Sequence, residues 1–169
     1  MINHEAFSFI KPQNFNDTKE EILSIGLRVC SENEKLYMVA IDKKNCEIND
    51  VNRPLHGTIF EKETNKIIHY SFPLCFNGFG LEGDNLFKEN IKDLEHFRTL
   101  YFEGTIVKLY YYDGKWNVST SSHLESKWNY WRSNKSFYEK FVEGVAFTFD
   151  CSFTEFLNSL EKDHCHTFL

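Results

Sequence analysis

Long apolar runs are missing from this sequence, and that absence limits the class of protein it encodes. No stretch approaches the length of apolar chain that spans a bilayer. Residues 1–5 show no basic-then-apolar signal pattern. Positive charge is also scarce, because 19 Lys and Arg residues face 25 Asp and Glu residues and leave a net charge of −6. We therefore expect no membrane contact and no general polyanion-binding surface, while a local basic patch remains open.

Closely spaced cysteines are missing as well. The five cysteines form an odd number without any Cys-x-x-Cys spacing, at Cys30, Cys46, Cys75, Cys151 and Cys165. Free thiols in a reducing cytoplasm are the simplest interpretation. The run His164-Cys165-His166 offers zinc-ligand types, but three adjacent ligands rarely converge on one tetrahedral ion, so we predict no metal site.

Aromatic residues, by contrast, are abundant and make up 17% of the chain. Such rings supply much of the buried area in a core, and 169 residues suffice for one domain with a core of its own. We predict a single domain, 1–169, in which a helical or irregular lead-in, 1–52, precedes a motif-bearing region, 53–169.

The strongest local signal is a β-hairpin centred on Asp113-Gly114. Two runs rich in β-branched and aromatic residues flank this pair, and both turn positions suit the positive φ of a two-residue turn. A two-residue turn sets a register that places six residues on one apolar face, which we expect to be buried: Val107, Leu109, Tyr111, Trp116, Val118 and Thr120. The opposite face, with Lys108 and Tyr110 on the first strand, is expected to be half exposed to water.

Cap and turn patterns place further elements before this hairpin. Thr18 and Glu21 resemble a capping box and predict a helix over about residues 19–31. Residues 36–41 form a short apolar run bounded by charges, which predicts a buried strand. A second hairpin is predicted around the polar turn at residues 63–65.

Helices are predicted around and after the central hairpin. They begin after Asp84, Ser136 and Ser152, and each of these residues precedes apolar side chains at helical spacing. The fold class is therefore α+β, with antiparallel hairpins forming a sheet flanked by several helices.

Residues 101–120 carry a resemblance to a known family. They run Glu-Gly-Thr, an apolar strand, the Asp-Gly turn, Lys-Trp and a Ser-Thr ending, an order that resembles the phage-type RNA ligases. These enzymes are covalent nucleotidyltransferases with an adenylation domain, in which a motif lysine attacks the α-phosphate of a nucleoside triphosphate. Aligned with that motif, Glu103, Gly104 and Thr105 match, and Tyr101 occupies the nucleophile position. A phenol does not replace the amine that a phosphoramidate requires.

A second stretch extends the resemblance. The ligases carry Arg-Gly-Ile-Val-Phe and later Phe-Pro-Lys-Phe-Phe-Asn, whereas this chain has His-Gly-Thr-Ile-Phe at 56–60 and Phe-Pro-Leu-Cys-Phe-Asn at 72–77. His56 and Leu74 thus replace two cations that are expected to meet phosphate in the family. The nucleotide-binding candidates that the resemblance implies are His56, Phe76, Asn77, Glu103, Gly104 and Thr105.

The resemblance implies a nucleotidyltransferase-like fold that has lost catalysis. In the ligases, the strand resembling residues 166–169 is followed by further strands and two lysine motifs, so we expect a truncated domain, incomplete at its C-terminus. We predict a catalytically inactive protein that binds nucleotide, RNA or a protein partner. Two alternatives stay open: an active ligase that uses ATP or GTP with Mg²⁺ and is completed by another chain, and an interaction domain with an exposed sheet edge. The richness in Asn and Lys resembles proteins of large DNA viruses.

An aromatic and basic cluster follows the hairpin and supplies the RNA-binding candidates Lys127, Trp128, Trp131 and Arg132. Such a cluster is able to stack and clamp single-stranded nucleic acid. The alternative is that Trp128 and Trp131, three residues apart on a helical turn, pack onto the domain. Nearby acids and the negative net charge favour that packing alternative.

Overall fold

The computed structural model describes residues 14–42, 44–71, 104–130 and 132–169. Within these ranges the chain forms three α-helices and seven β-strands, which confirms the α+β class. The helices are α1 (Phe15–Ser24), α2 (Phe137–Phe149) and α3 (Phe153–Ser159). The strands are β1 (Leu27–Glu32), β2 (Leu36–Ile41), β3 (Ile59–Glu61), β4 (Ile67–His69), β5 (Val107–Tyr112), β6 (Lys115–Thr120) and β7 (His166–Phe168).

The first four strands form an antiparallel sheet in the order β1-β2-β3-β4. Strand β2 is buried along its whole length, which confirms the short buried strand predicted there. Tyr37 and Val39 pack with Ile22 of α1 on one side, while Leu36 and Met38 belong to the core cluster on the other. Because both faces are covered, β2 is apolar at every position. The pairing of β2 with β3 joins the lead-in region to the motif-bearing region.

The remaining strands form a second antiparallel sheet in the order β6-β5-β7. Tyr110 of this sheet packs with Met38 and Ile59 of the first sheet. Leu109, on the opposite face, packs with Val145 of α2 and Phe156 of α3. The layers are therefore α1, the four-stranded sheet, the three-stranded sheet, and the α2–α3 pair. Strand β7 occurs where the resemblance implied a strand.

The central hairpin has the predicted register. Leu109 pairs with Val118, and the turn residues Asp113 and Gly114 have φ values of 54° and 75°. The prediction that the Lys108 face is half exposed was wrong, because Lys108 and Tyr110 have exposed fractions of 0% and 2%. The first sheet covers this face, a long-range contact that the alternation of residues within the hairpin does not encode.

The prediction of a helix over about residues 19–31 was wrong at both ends. The N-cap is Asn14, whose side chain accepts a hydrogen bond from the Asn16 amide at 2.9 Å, and Thr18 lies buried inside α1. The helix ends at Ser24, and Gly26 follows with φ +78°. Residues after Gly26 form β1, because pairing with β2 outweighs the helical spacing of their apolar side chains.

The other local predictions fit the described structure. Strands β3 and β4 form the second hairpin, with Asn65 at φ 56° in its turn. Ser136 and Ser152 both begin helices with complete capping boxes, to Glu139 and Glu155. The helix predicted after Asp84 lies outside the described residues.

Replacing Ser136 by alanine is expected to lower the free energy of unfolding by about 1 kcal/mol. The Ser136 hydroxyl accepts the Glu139 amide hydrogen bond at 3.2 Å, and the variant leaves that amide without its acceptor. Urea denaturation measures the change. Thr154→Ala, at an exposed position of α3, is the control and should alter stability by less than about 0.5 kcal/mol. Equal losses in the two variants would contradict the capping role.

Candidate functional site

Three nucleotide-binding candidates lie within the described ranges. His56 Nδ1 accepts a hydrogen bond from the Ile41 amide at 3.2 Å, which ties the ring to the end of β2. Gly104 lies against Leu169, since a Cβ there would be 3.3 Å from that side chain. Thr105 lines a groove beside α2. Outside the described residues lie the other three candidates, Phe76, Asn77 and Glu103, and also Tyr101 at the nucleophile position; their roles stay predictions.

A buried lysine connects the two sheets. Lys108, on β5, is fully buried, and its Nζ donates a hydrogen bond to the backbone carbonyl of Gly57. Gly57 has φ +78°, and a Cβ at that position would lie 2.6 Å from Lys108 Nζ and 3.1 Å from Ser71 Oγ. Glycine is required here both for the backbone conformation and for the close approach of the lysine.

Burial changes the titration of the groups at this junction. It lowers the pKa of Lys108 to about 8, against a smaller opposing effect of Cys30. It also lowers the pKa of His69 to about 4, and the Lys108 charge adds to that decrease. The His69 ring packs edge-on against Tyr110, with centroids 5.9 Å apart. Lys108 thus has the lowered pKa of a nucleophilic lysine, but the two sheets enclose its amine.

The Lys108→Met variant is expected to remove a pH dependence of stability between about pH 8 and about pH 10.5. In that window the unfolded lysine, with a pKa of 10.5, holds a proton that the folded lysine releases, so stability rises with pH. The wild type should gain on the order of 3 kcal/mol relative to the variant across the full window.

Urea denaturation at a series of pH values measures this difference, because other titrating groups are common to both proteins. Lys115→Met removes an exposed lysine from the same hairpin and should leave the wild-type pH profile unchanged. A pH profile of Lys108→Met that runs parallel to the wild type would show that the buried amine has an ordinary pKa.

The aromatic segment comprises residues 126–132, and its described residues, 126–130 and 132, lie beside the second sheet. Trp128 ends a 3-10 turn (Ser126–Trp128) with 76% of its side chain exposed, and Tyr130 is 51% exposed. The interpretation that Trp128 packs onto the domain was therefore wrong. Asn129 between them has φ −109° and ψ 120°, an extended conformation that separates the Cα atoms of Trp128 and Tyr130 by roughly 7 Å.

Hydrogen bonds to the domain fix the backbone of the aromatic segment. Ser126 Oγ donates to the Val118 carbonyl at 2.9 Å, and the Phe137 amide donates to the Asn129 carbonyl at 2.9 Å. Asn129 Nδ2 also donates to Thr120 Oγ1 at 3.3 Å. Two exposed rings are thus held by an ordered backbone, which reduces the entropy that binding a ligand would remove.

Basic side chains accompany these rings. Lys127 Nζ lies 4.9 Å from the centroid of the Tyr138 ring, and Arg132 holds a positive φ of 50°. Lys135 forms an ion pair with Glu143 at 2.5 Å. Residues 121–136 contain three Lys or Arg side chains and one carboxylate in a chain of net charge −6. Within the aromatic segment itself, the cations are Lys127 and Arg132. Trp131 lies outside the described residues.

The adjacent His164, Cys165 and His166 contact different parts of the chain. His164 Nδ1 contacts Glu161 at 2.5 Å, whereas Cys165 Sγ donates to the Ile68 carbonyl at 3.1 Å. His166 belongs to β7 and its ring packs against Trp116. The three side chains thus have different partners, and the absence of a metal site stays a prediction.

The fold and the site define an α+β domain with two packed antiparallel sheets and an exposed aromatic segment. No family model matches the chain, and no solved structure matches it. The chain is similar to the immediate-early protein ICP-46 homolog of Invertebrate iridescent virus 3, with 35% identity over 127 residues. That match covers 71% of this chain and 28% of the viral relative, so the chain spans little more than a quarter of its length. The similarity supports the viral origin that the sequence indicated.

No helix within the described ranges combines the length and the apolar composition needed to cross a membrane. The four cysteines in these ranges, Cys30, Cys46, Cys151 and Cys165, are free thiols.

Proposed function

We propose that this protein is a catalytically inactive relative of the RNA ligases that binds single-stranded RNA through the aromatic segment. The observation that supports this most directly is the exposure of Trp128, three quarters of which faces solvent on an ordered backbone. A large ring contributes to stability chiefly when it is buried. Because the Trp128 ring is exposed while its backbone is held by hydrogen bonds, the ring is available to stack on a base.

The spacing of the two rings suits an extended RNA strand. Residues two apart in an extended chain are separated by roughly 7 Å, so Trp128 and Tyr130 are able to meet successive unstacked bases. Lys127 and Arg132 flank the rings and would contact phosphates. Because the chain as a whole is acidic, we expect binding to be confined to this segment and to be weak at high salt.

The same proposal assigns no ligase chemistry to this chain. Tyr101 occupies the position at which the resemblance implies a lysine nucleophile. Lys108 has a lowered pKa, but its amine is enclosed between the sheets and donates to the Gly57 carbonyl. A nucleoside triphosphate would have to separate the sheets to reach it. We also propose an intracellular, reducing location, in keeping with the free thiols.

Trp128→Ala is expected to weaken the binding of a fluorescein-labelled single-stranded RNA of about ten nucleotides by about tenfold. Stacking of a base on one ring contributes roughly 1–3 kcal/mol, and the variant removes that ring. Fluorescence anisotropy measures the affinity at two salt concentrations, and the affinity of the wild type should fall as salt rises.

Phe147→Ala is the matched control, because this side chain is 92% exposed on α2, outside the aromatic segment. Its RNA affinity should equal that of the wild type, and Trp128→Phe should keep part of the stacking. If Trp128→Ala binds as tightly as the wild type, the rings do not carry the interaction and the proposal fails.

Incubation with radiolabelled ATP or GTP and Mg²⁺ is expected to leave no label on the denatured protein. The physical reason is that Lys108, whose pKa burial lowers to about 8, is fully buried, so a nucleotide does not reach its amine. Denaturing electrophoresis and intact-mass measurement detect a covalent nucleotide. A stable adduct that Lys108→Met or Tyr101→Phe abolishes would instead establish the active nucleotidyltransferase.

A further inference from the structure

An apolar groove of about 510 Å³ lies between α2 and the edge of the second sheet. Its walls are mostly aliphatic and aromatic, and Phe149 and Leu169 at its margin have exposed fractions of 53% and 64%. The lining includes Val107, Phe141, Val145, Phe149, Phe168 and Leu169. Apolar side chains of this size are normally covered, so the groove is a candidate docking surface.

A glycine opens the helical wall of this groove. Gly144 lies in the interior of α2, where glycine destabilises a helix by about 1 kcal/mol relative to alanine. A Cβ added there would meet no described atom within 4 Å, so no close neighbour within the described ranges requires the glycine. The absence of a side chain instead leaves room for another group to approach the α2 backbone.

Charge in the groove defines a further property of its occupant. Lys140 is the only charged side chain among the described lining residues. It has no ion-pair partner within the described ranges, and its Nζ lies 5.7 Å from the centroid of the Phe137 ring. An occupant with a carboxylate beside its apolar groups would therefore complement the groove.

The groove adjoins β7, the last strand in the order of the described second sheet. Strand β7 pairs with β5 through Thr167 and Lys108, and its other edge pairs with no described strand. An extended peptide that adds to this edge would satisfy backbone groups of β7 and would direct alternate side chains into the groove. A lipid or other small apolar ligand would leave that edge unpaired.

We propose that the groove and the β7 edge bind an extended peptide segment of a partner protein. The segment carries large apolar residues at alternate positions and an Asp or Glu that pairs with Lys140. The partner strand extends the second sheet, and one apolar side chain lies against Gly144. This surface is independent of the proposed RNA-binding segment, because none of its lining residues belongs to residues 126–132.

The test uses fluorescein-labelled peptides that alternate leucine or phenylalanine with threonine and carry two aspartates at either the N-terminal or the C-terminal end. With two versions, the aspartates are able to reach Lys140 whether the peptide pairs parallel or antiparallel to β7. Fluorescence anisotropy should show saturable binding of one version to the full chain. Gly144→Phe should fill the groove and weaken binding at least about tenfold, while Ala146→Phe, at an exposed position of the same helix, should not.

A charge exchange makes the test independent of folding effects. Lys140→Glu should lose affinity for the aspartate peptide and gain affinity for a version with lysines in place of the aspartates. Gly144→Ala should raise the unfolding midpoint in urea. The proposal is overturned if neither aspartate peptide binds the wild type, or if Gly144→Phe binds the peptide as tightly as the wild type does. A wild-type dimer in sedimentation that Gly144→Phe converts to a monomer would also overturn it, because a second copy would then fill the groove.

Discussion

The contact between Lys108 and Gly57 determines how the two sheets meet. A lysine of β5 that donates to the main-chain carbonyl of Gly57, two residues before β3, fixes the distance between β5 and that segment of the first sheet. Tyr110, two residues further along β5, then packs on His69 and on the first sheet. Since an amine loses hydration when it is buried, this contact is favourable only while the hydrogen bond is made, so it opposes sliding of one sheet over the other.

This use of the lysine bears on what the domain does. Nucleophilic lysines need a lowered pKa and access for the electrophile, and Lys108 satisfies the first condition alone. Within the described residues, the two surfaces proposed to bind ligands lie instead at the margins of the second sheet, in the aromatic segment that follows β6 and in the groove beside β7. An electrophile would therefore have to separate the two sheets to reach the Lys108 amine.

Features encoded by a few adjacent residues could be predicted from the sequence. Asp113-Gly114 fixed the central hairpin and its register, and the serine-to-glutamate spacing located both capping boxes. Features that depend on distant contacts could not. The helical spacing before residue 31 concealed β1, whose conformation depends on β2, and the burial of Lys108 depends on the other sheet. The sequence did not determine the exposure of Trp128 either, because the three-residue spacing of Trp128 and Trp131 is compatible with a helix or with an extended chain. The sequence signal for the groove beside α2 is Gly144, a glycine within a helical pattern.

The distribution of the aromatic residues connects the fold with the proposed recognition. Phe141, Phe153, Phe156 and Phe168 contact one another and close the core between the second sheet and the helices. This cluster holds α2 in place, and the Phe137 amide at the start of α2 in turn holds the Asn129 carbonyl. The packing of the buried rings thus supports the exposed ones, because loosening the phenylalanine cluster would release the backbone of the aromatic segment. It would also raise the entropy that the proposed RNA binding removes. Under that proposal, a core substitution far from the rings should reduce RNA affinity without removing any contact to RNA.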